Sequence, residues 1–365
     1  MKALIVGIIE TTREEALDSI RELKELIKSL GGRSIGYVLQ RRSYPDPRFY
    51  VGAGKLQEIK LIIEGTGADG VVIDAFLTPS QVSNLERELG VKVLDRATLV
   101  LEIFSQRVRS KTAKLQVELA RLTYELPRLY GAGDELSRLG GGVGTRGPGE
   151  QSAEIRRRAI RKRIGQIKKE LEQVKAQRRE QRKRREMGNV LRAVLVGYTN
   201  VGKSSLMRAI TGRQAPVENM PFSSLDTLTS ARILSGEIKL LLTDTVGFIR
   251  KLPPELIESF KATLEELTEA DLILHVIDIS DKNWFEKVGV VKSVLADLGA
   301  QETPVIYVFN KADRVISSPS KIDLLTEPAF VDSKAVVVSA LRGWGIDRLV
   351  EVLGKEGMRL KGVSA

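Results

Sequence analysis

Residues 193–204 read Ala-Val-Leu-Val-Gly-Tyr-Thr-Asn-Val-Gly-Lys-Ser, and the reading of this stretch decides the fold. The apolar run Ala193–Val196 has the pattern of a buried strand, and the residues after Lys203 open a helix. Between them, Gly197-Tyr198-Thr199-Asn200-Val201-Gly202-Lys203-Ser204 fits GxxxxGK[ST] in the strand–turn–helix setting the motif requires. Its chemistry is phosphate capture. Glycines let the backbone curl so that successive N–H groups, through Ser204 and Ser205, converge on an anion, and the helix N-terminus adds the positive end of its dipole. Lys203 is placed to reach the β- and γ-phosphates of a nucleotide, and Ser204 to ligate Mg²⁺. A glycine-rich turn without function is the bland alternative, and the strand and helix on either side weigh against it. Such a unit belongs to an α/β domain with a mostly parallel sheet.

Further apolar strand-like runs follow at Lys239–Leu242, Leu272–Ile277, Val305–Phe309 and Val336–Val338. Asp244-Thr245-Val246-Gly247 comes after the first. An aspartate there can hold the magnesium shell, and Gly247 can bring its N–H to the γ-phosphate with no side chain in the way. Lys203 and Gly247 are thus the groups at the reacting phosphate. Asn310-Lys311-Ala-Asp313 closes a later strand and chooses the base. Asp313 accepts from N1–H and the 2-amino group of guanine; adenine has an acceptor at N1 and no 2-amino group. A buried polar group without its partner costs about 1–3 kcal/mol. Ser339-Ala340-Leu341 can set a backbone N–H against guanine O6. In this order the motifs describe a GTP/GDP site.

Two positions stay open. Between the phosphate loop and Asp244 lies Pro221-Phe222-Ser223-Ser224-Leu225-Asp226-Thr227-Leu-Thr229, rich in hydroxyls. One of them completes the Mg²⁺ shell when GTP is bound; Ser224, Thr227 and Thr229 all qualify, and spacing does not choose. Phe248 stands where many regulatory GTPases carry a water-orienting Gln, and an aromatic ring cannot align a nucleophilic water. Either it retracts to open the site or it is a core anchor; another group, such as one from a partner, then orients the water.

Upstream the pattern changes. Leu115, Leu119, Leu122, Leu126 and Leu129 step by 4 and 3, as do Ile160, Ile164, Ile167, Leu171 and Val174. Two such stripes read as an antiparallel helical hairpin across 105–186. Its loop is the Gly-rich stretch 139–149, and Pro127 is expected to kink or end the first helix. The second helix, Glu150–Glu186, holds 15 Lys/Arg and 6 Asp/Glu, densest at Arg156, Arg157, Arg158, Arg161 and Arg163. Charged faces of coiled coils are common, but this excess favours RNA contact. Residues 1–104 alternate strand-like runs (Ala3–Ile9, Ile35–Leu39, Val71–Ile73, Val91–Leu94) with amphipathic helices (Glu14–Leu30, Lys55–Ile63, Pro79–Leu89), a small α/β domain. With 187–365 as the phosphate-loop domain, the chain has three parts.

Composition agrees. The 365 residues are 42% apolar, enough for real cores, and carry 58 Lys/Arg against 47 Asp/Glu, a net +11 that favours an anionic partner. No cysteine and a single histidine exclude disulfide frameworks, thiolate nucleophiles and multi-histidine metal sites. MKALIVGIIETTREE meets charge too early for a signal peptide, and no apolar stretch reaches a membrane span, so a cytoplasmic monomer is expected. Three features read as decoys. Gly52-Ala-Gly54-Lys55 mimics half a phosphate loop but more simply starts a helix; His275 sits inside an apolar run as a core residue; Trp284 and Trp344 are packing residues.

The order of α/β domain, basic hairpin, Gly-rich GGVGTRGPGE (141–150) and phosphate-loop domain with FSSLD, DTVGF and NKAD resembles the HflX family of ribosome-associated GTPases. The resemblance covers nearly the whole chain, and GTRGPGE with the LxxELxRLxYxLPRL pattern of Leu115–Leu129 is specific to it. It implies a GTPase that binds the large ribosomal subunit near the peptidyl transferase centre; the Phe248 position adds that hydrolysis is slow alone and stimulated by a partner, and the basic hairpin that rRNA is the contact. Ribosome splitting, rescue of stalled ribosomes or assembly are the implied roles. It maps the switch magnesium ligand onto Ser224, where the family usually has Thr; Thr227 stands where Pro is common, and a C-terminal extension found in some members is missing. The competing reading is an RNA- or protein-binding adaptor in which GTP is structural.

Overall fold

The structure, a computed structural model, describes residues 1–137, 148–183, 189–212, 228–235, 238–250, 267, 269–325 and 334–362. Two compact units divide it, one carrying Met1–Gln173 and one beginning at Val174.

In the first unit, β1 (Lys2–Ile9), β2 (Arg33–Arg41), β3 (Gly70–Ile73) and β4 (Lys92–Asp95) form a parallel sheet in the order β2-β1-β3-β4. Parallel strands covered on both faces read as continuous apolar runs, and Ala3–Ile8 of β1 and all of β3 are buried accordingly. The connections are α1 (Arg13–Ser29), α2 (Ala53–Thr66) and α3 (Pro79–Leu89). Thr12 caps α1 by accepting the Glu15 N–H at 3.2 Å, with Glu14 and Glu15 facing the positive end of the dipole. Thr78 and Gln81 make a reciprocal capping box at α3, and Gly90, at φ 68°, ends it.

A helix missing from the sequence reading, α4 (Arg96–Arg107), follows β4 with no connecting turn. It is apolar on most of its circumference, so no amphipathic stripe announces it. Asp95 takes the place of a turn: it caps α4 by accepting the Thr98 N–H at 2.9 Å. Its carboxylate also accepts the Leu77 N–H at 3.1 Å, Arg128 Nη2 at 2.6 Å and the Tyr124 hydroxyl. Arg128 and Tyr124 lie on α5 (Lys111–Ser137), within the LxxELxRLxYxLPRL stretch. That pattern is therefore a joint, fastening the hairpin's first helix to the end of β4.

The hairpin's second helix, α6 (Pro148–Lys183), runs antiparallel to α5. Leu115 and Leu119 pack with Ile167 and Leu171, flanked by Leu122 and Ile164. Arg163 grips Glu118 at 2.7 and 2.8 Å, Arg156 pairs with Glu125, and Arg157 donates to the Leu129 carbonyl at 2.9 Å. Seven residues forward on α5, from 118 to 125, match seven back on α6, from 163 to 156, the register of an antiparallel pair. Three of the five densest arginines thus hold the hairpin together. Pro127 does not end α5. It is exposed, and the residues around it, Tyr124 and Arg128, are pinned to Asp95, which holds the helical path through a position lacking an N–H donor.

In the second unit, β5 (Val190–Gly197), β6 (Leu228–Ile233), β7 (Lys239–Asp244), β8 (Leu272–Asp278), β9 (Val305–Asn310) and β10 (Lys334–Val337) form one sheet, ordered β10-β9-β8-β5-β7-β6. All pairs are parallel except β6 with β7. Strand β6 is an edge strand with a polar, half-exposed sequence, and the sequence reading did not find it. Around the sheet lie α7 (Lys203–Thr211), α8 (Trp284–Asp297) and α9 (Ile346–Lys361). The central strand β5 delivers the phosphate loop at its carboxyl end, where open α/β sheets place their ligands.

Candidate functional site

The loop between β5 and α7 has the backbone its glycines were expected to allow. Gly197 (φ 153°) and Gly202 (φ 93°) take conformations that side chains rarely adopt. A Cβ at Gly197 would lie 2.3 Å from the Val276 carbonyl oxygen, and one at Gly202 2.5 Å from Asn310 Nδ2. Asn200 also has positive φ, 62°, a conformation asparagine tolerates best after glycine.

Lys203 opens α7 and is buried; its Nζ donates to the carbonyls of Gly197 and Tyr198, both at 3.0 Å. Burial holds its pKa down to about 8, against the pull of Asp244, which raises it. The ammonium is thus costly where it sits and gains from an anion. Next to it, the Ser204 hydroxyl donates to Asp244 Oδ2 at 2.6 Å, so residues 40 positions apart share one corner. A hydroxyl and a carboxylate are oxygen donors of the type a hard divalent cation takes alongside phosphates. Among the described residues no cluster of three His, Asp or Glu forms a metal cage. Thr245 is fixed by donating to the Leu195 carbonyl at 2.7 Å, and Val246 leads into Gly247. Gly247 lies against the loop: a Cβ there would be 2.9 Å from both Lys203 Nζ and Thr199 Cα. Phe248 is 3% exposed, and its backbone makes a short parallel bridge to Tyr198.

The residues expected at the base interlock with the same loop. Asn310 ends β9 and donates to the Val201 carbonyl at 2.8 Å, while its Oδ1 accepts the Ala340 N–H at 2.9 Å. Lys311, in the left-handed region at φ 66°, reaches the Asn200 carbonyl at 2.5 Å and Asp278 at 2.7 Å. Asp313 accepts from the Ser339 hydroxyl, whose Oγ also takes the Arg342 N–H at 3.1 Å. Leu341 is 79% exposed beside them. The three sequence segments 197–204, 310–313 and 339–341 therefore meet as one hydrogen-bonded rim. Asp278, the acceptor for Lys311 at the end of β8, was missed; an aspartate ending an apolar strand was the only signal for it.

The hydroxyl-rich segment fares differently. Phe222, Ser223, Ser224, Leu225, Asp226 and Thr227 lie outside the described residues, as does the loop 139–147. Thr229 is in β6, paired with Thr243 of β7, their hydroxyls 3.0 Å apart. Three of the decoy positions fall where their bland readings put them. Gly52 precedes α2 and Lys55 pairs with Glu58; His275 is 2% exposed, with burial driving its pKa down to about 3; Trp284 packs edge-on against Phe309 at 5.4 Å.

Comparison with known proteins matches this arrangement. Residues 17–105, 107–185 and 192–311 match families described as GTP-binding GTPase N-terminal, GTP-binding GTPase middle region and 50S ribosome-binding GTPase. The GTPase HflX of Caldanaerobacter subterraneus subsp. tengcongensis is 46% identical over 97% of this chain and 80% of its own length. That of Escherichia coli K12 is 40% identical over 94% of this chain and 80% of its own. Among solved structures, the complex of SsGBP with GDP is similar over 99% of this chain and all of its own, with 28% identity and a TM-score of 0.52.

Proposed function

The chain belongs to the HflX family of GTPases, and from that premise we propose that it works on the large ribosomal subunit, which it grips through the basic hairpin, hydrolysing GTP slowly alone and faster when docked. Ribosome splitting, rescue or assembly is the process served, in the cytoplasm and as a monomer. The division into 1–104, 105–186 and 187–365 assigns the sheet domain, the grip and the motor. No helix among the described residues is long and apolar enough to cross a membrane.

In this reading the N–H groups of 198–205 bind the phosphates and Lys203 neutralises the β- and γ-oxygens. Its depressed pKa supports that role, because burial costs the ammonium more than Asp244 returns, and a phosphate would offset that cost. Ser204 and Asp244, joined by the switch hydroxyl of Ser224, hold Mg²⁺, which neutralises charge on the phosphate oxygens when bound. Phe222, Ser223, Leu225 and Asp226 frame that switch, and Thr245 and Val246 carry Gly247 to the γ-phosphate. Asn310, Lys311 and Asp313, with Ser339, Ala340 and Leu341, select guanine. Thr229 is spent in the β6–β7 pair, which favours the other two hydroxyls for the metal. Phe248 anchors its segment in the core and cannot hold the attacking water, so a partner supplies that group.

The observation that carries the ribosomal reading is α6. Around the arginines that pair with α5, Arg158, Arg161, Lys162, Lys168 and Lys169 stay exposed along one helix about 54 Å long. Each phosphate contact adds about one counterion to the salt dependence of binding. Reversing Arg158, Lys162, Lys168 and Lys169 to Glu spares the arginines that pair with α5. Co-sedimentation with purified large subunits at several salt concentrations should then weaken and flatten. Sedimentation equal to wild type at every salt removes the hairpin as the contact.

A further inference from the structure

Tyr198 binds phosphate, in the reading above, through its backbone alone; its side chain is 5% exposed and has a different partner. The hydroxyl accepts the Arg250 N–H at 2.7 Å. On either side of it, Phe248 N–H donates to the Gly197 carbonyl at 3.1 Å, and Thr199 N–H to the Phe248 carbonyl at 2.8 Å. Phe248 and Ile249 are 3% and 1% exposed. The Arg250 guanidinium pairs with Glu286 in the first turn of α8. The neighbouring Lys287 sits 4.9 Å from the centre of the Tyr198 ring while pairing with Asp281. Gly247–Arg250 is thus bound to the phosphate loop through the backbone of Phe248 and of Arg250, with Ile249 buried between them.

What this does shows at Gly247. A single added carbon there would lie 2.9 Å from Lys203 Nζ and 2.9 Å from Thr199 Cα, closer than carbon atoms settle. A phosphoryl group is larger than a methyl. With Lys203 at the γ-phosphate end, a diphosphate would stop short of this gap, whereas a third phosphate reaching Lys203 and the Gly247 N–H would have to open it.

We propose that Tyr198 is a positioning residue that sets the balance between GDP and GTP, its hydroxyl latching Gly247–Arg250 against the loop so that only the triphosphate has to release it. A ligand shifts an equilibrium only by its differential affinity for the two states, and GTP binding is weakened by the fraction of molecules that remain latched. The inference rests on Lys203 standing at the γ-phosphate end. It makes Tyr198 a selector of nucleotide state rather than a phosphate ligand by its side chain.

The test is titration of the full chain, with Mg²⁺, by fluorescent GDP and by a fluorescent non-hydrolysable GTP analogue. Losing one hydrogen bond shifts an equilibrium about two- to tenfold. Tyr198→Phe should raise the ratio of analogue affinity to GDP affinity by that factor. Glu286→Gln, at the other end of the latch and 54% exposed, should raise it in the same direction. A ratio that stays the same or falls in both variants overturns the latch, and a parallel loss of both affinities counts as an unchanged ratio. Lys203→Met separates the two layers. If it weakens the analogue no more than GDP, the placement of Lys203 fails and the latch with it. If it weakens the analogue more while the Tyr198 ratio is unmoved, only the latch fails.

Discussion

Replacing Asn310 by Ala removes a side chain that bonds both to the phosphate loop and to the 339–341 loop. Its amide donates to the Val201 carbonyl at 2.8 Å and accepts the Ala340 N–H at 2.9 Å, and it is 2% exposed. The contact with the loop is close, since Gly202 has no room for a Cβ beneath Asn310 Nδ2. Each neutral hydrogen bond contributes about 0.5–1.5 kcal/mol, so the pair is worth about 1–3 kcal/mol. In the free variant the Val201 carbonyl and Ala340 amide turn to water, and binding has to restore the rim without the bonds. At 1.4 kcal/mol per tenfold, GDP affinity should fall about 5- to 150-fold. The assay is titration with fluorescent GDP, with far-ultraviolet circular dichroism to show that the fold persists. A dissociation constant within twofold of wild type would refute the reasoning, because the rim would then hold without its central amide.

Asp313→Asn should move base preference from guanine towards xanthine, since an amide donates to xanthine's extra carbonyl; competition between the two diphosphates reads it, and unchanged guanine selectivity contradicts it. Lys203 gives a pH dependence. Its pKa in the free chain is lowered to about 8 by burial, and phosphate binding favours the charged form, so GDP affinity should be level up to pH 8 and fall as pH rises further. Binding measured from pH 7 to 9 shows the step, and Lys203→Met, weaker throughout, should lack it. The same group adds stability to the free fold as pH rises above about 8, because there the unfolded chain holds more protons than the folded one.

The parts of this molecule legible in the sequence are those whose signal is local. A phosphate loop needs its glycines, lysine and serine within eight consecutive residues, and 197–204 folds as that pattern demands. The heptad stripes of 115–129 and 160–174 told the antiparallel pairing, because an apolar stripe must find another. What escaped was set by distant partners. Asp95 is an ordinary aspartate until Leu77, Thr98, Tyr124 and Arg128 converge on it. Pro127 reads as a helix breaker, and the anchored residues beside it override that local preference. The edge strand β6 has no apolar stripe, since it pairs on one side only. The Tyr198–Arg250 contact joins residues 52 apart, and the basic run 156–163 looked uniformly available for RNA until Glu118 and Glu125 claimed part of it.

In the proposed mechanism a partner completes a site that Phe248 leaves short of a water-orienting group. Single-turnover hydrolysis of GTP, with and without purified large ribosomal subunits, addresses that most directly. A group supplied in trans to a phosphoryl-transfer site is worth roughly 10³-fold or more. The expected result is slow turnover by the chain alone and strong acceleration by the subunits, lost when Arg158, Lys162, Lys168 and Lys169 are reversed in charge. A fast basal rate that subunits leave unchanged would contradict it, and a rate negligible in both conditions would make GTP a structural ligand of an adaptor instead.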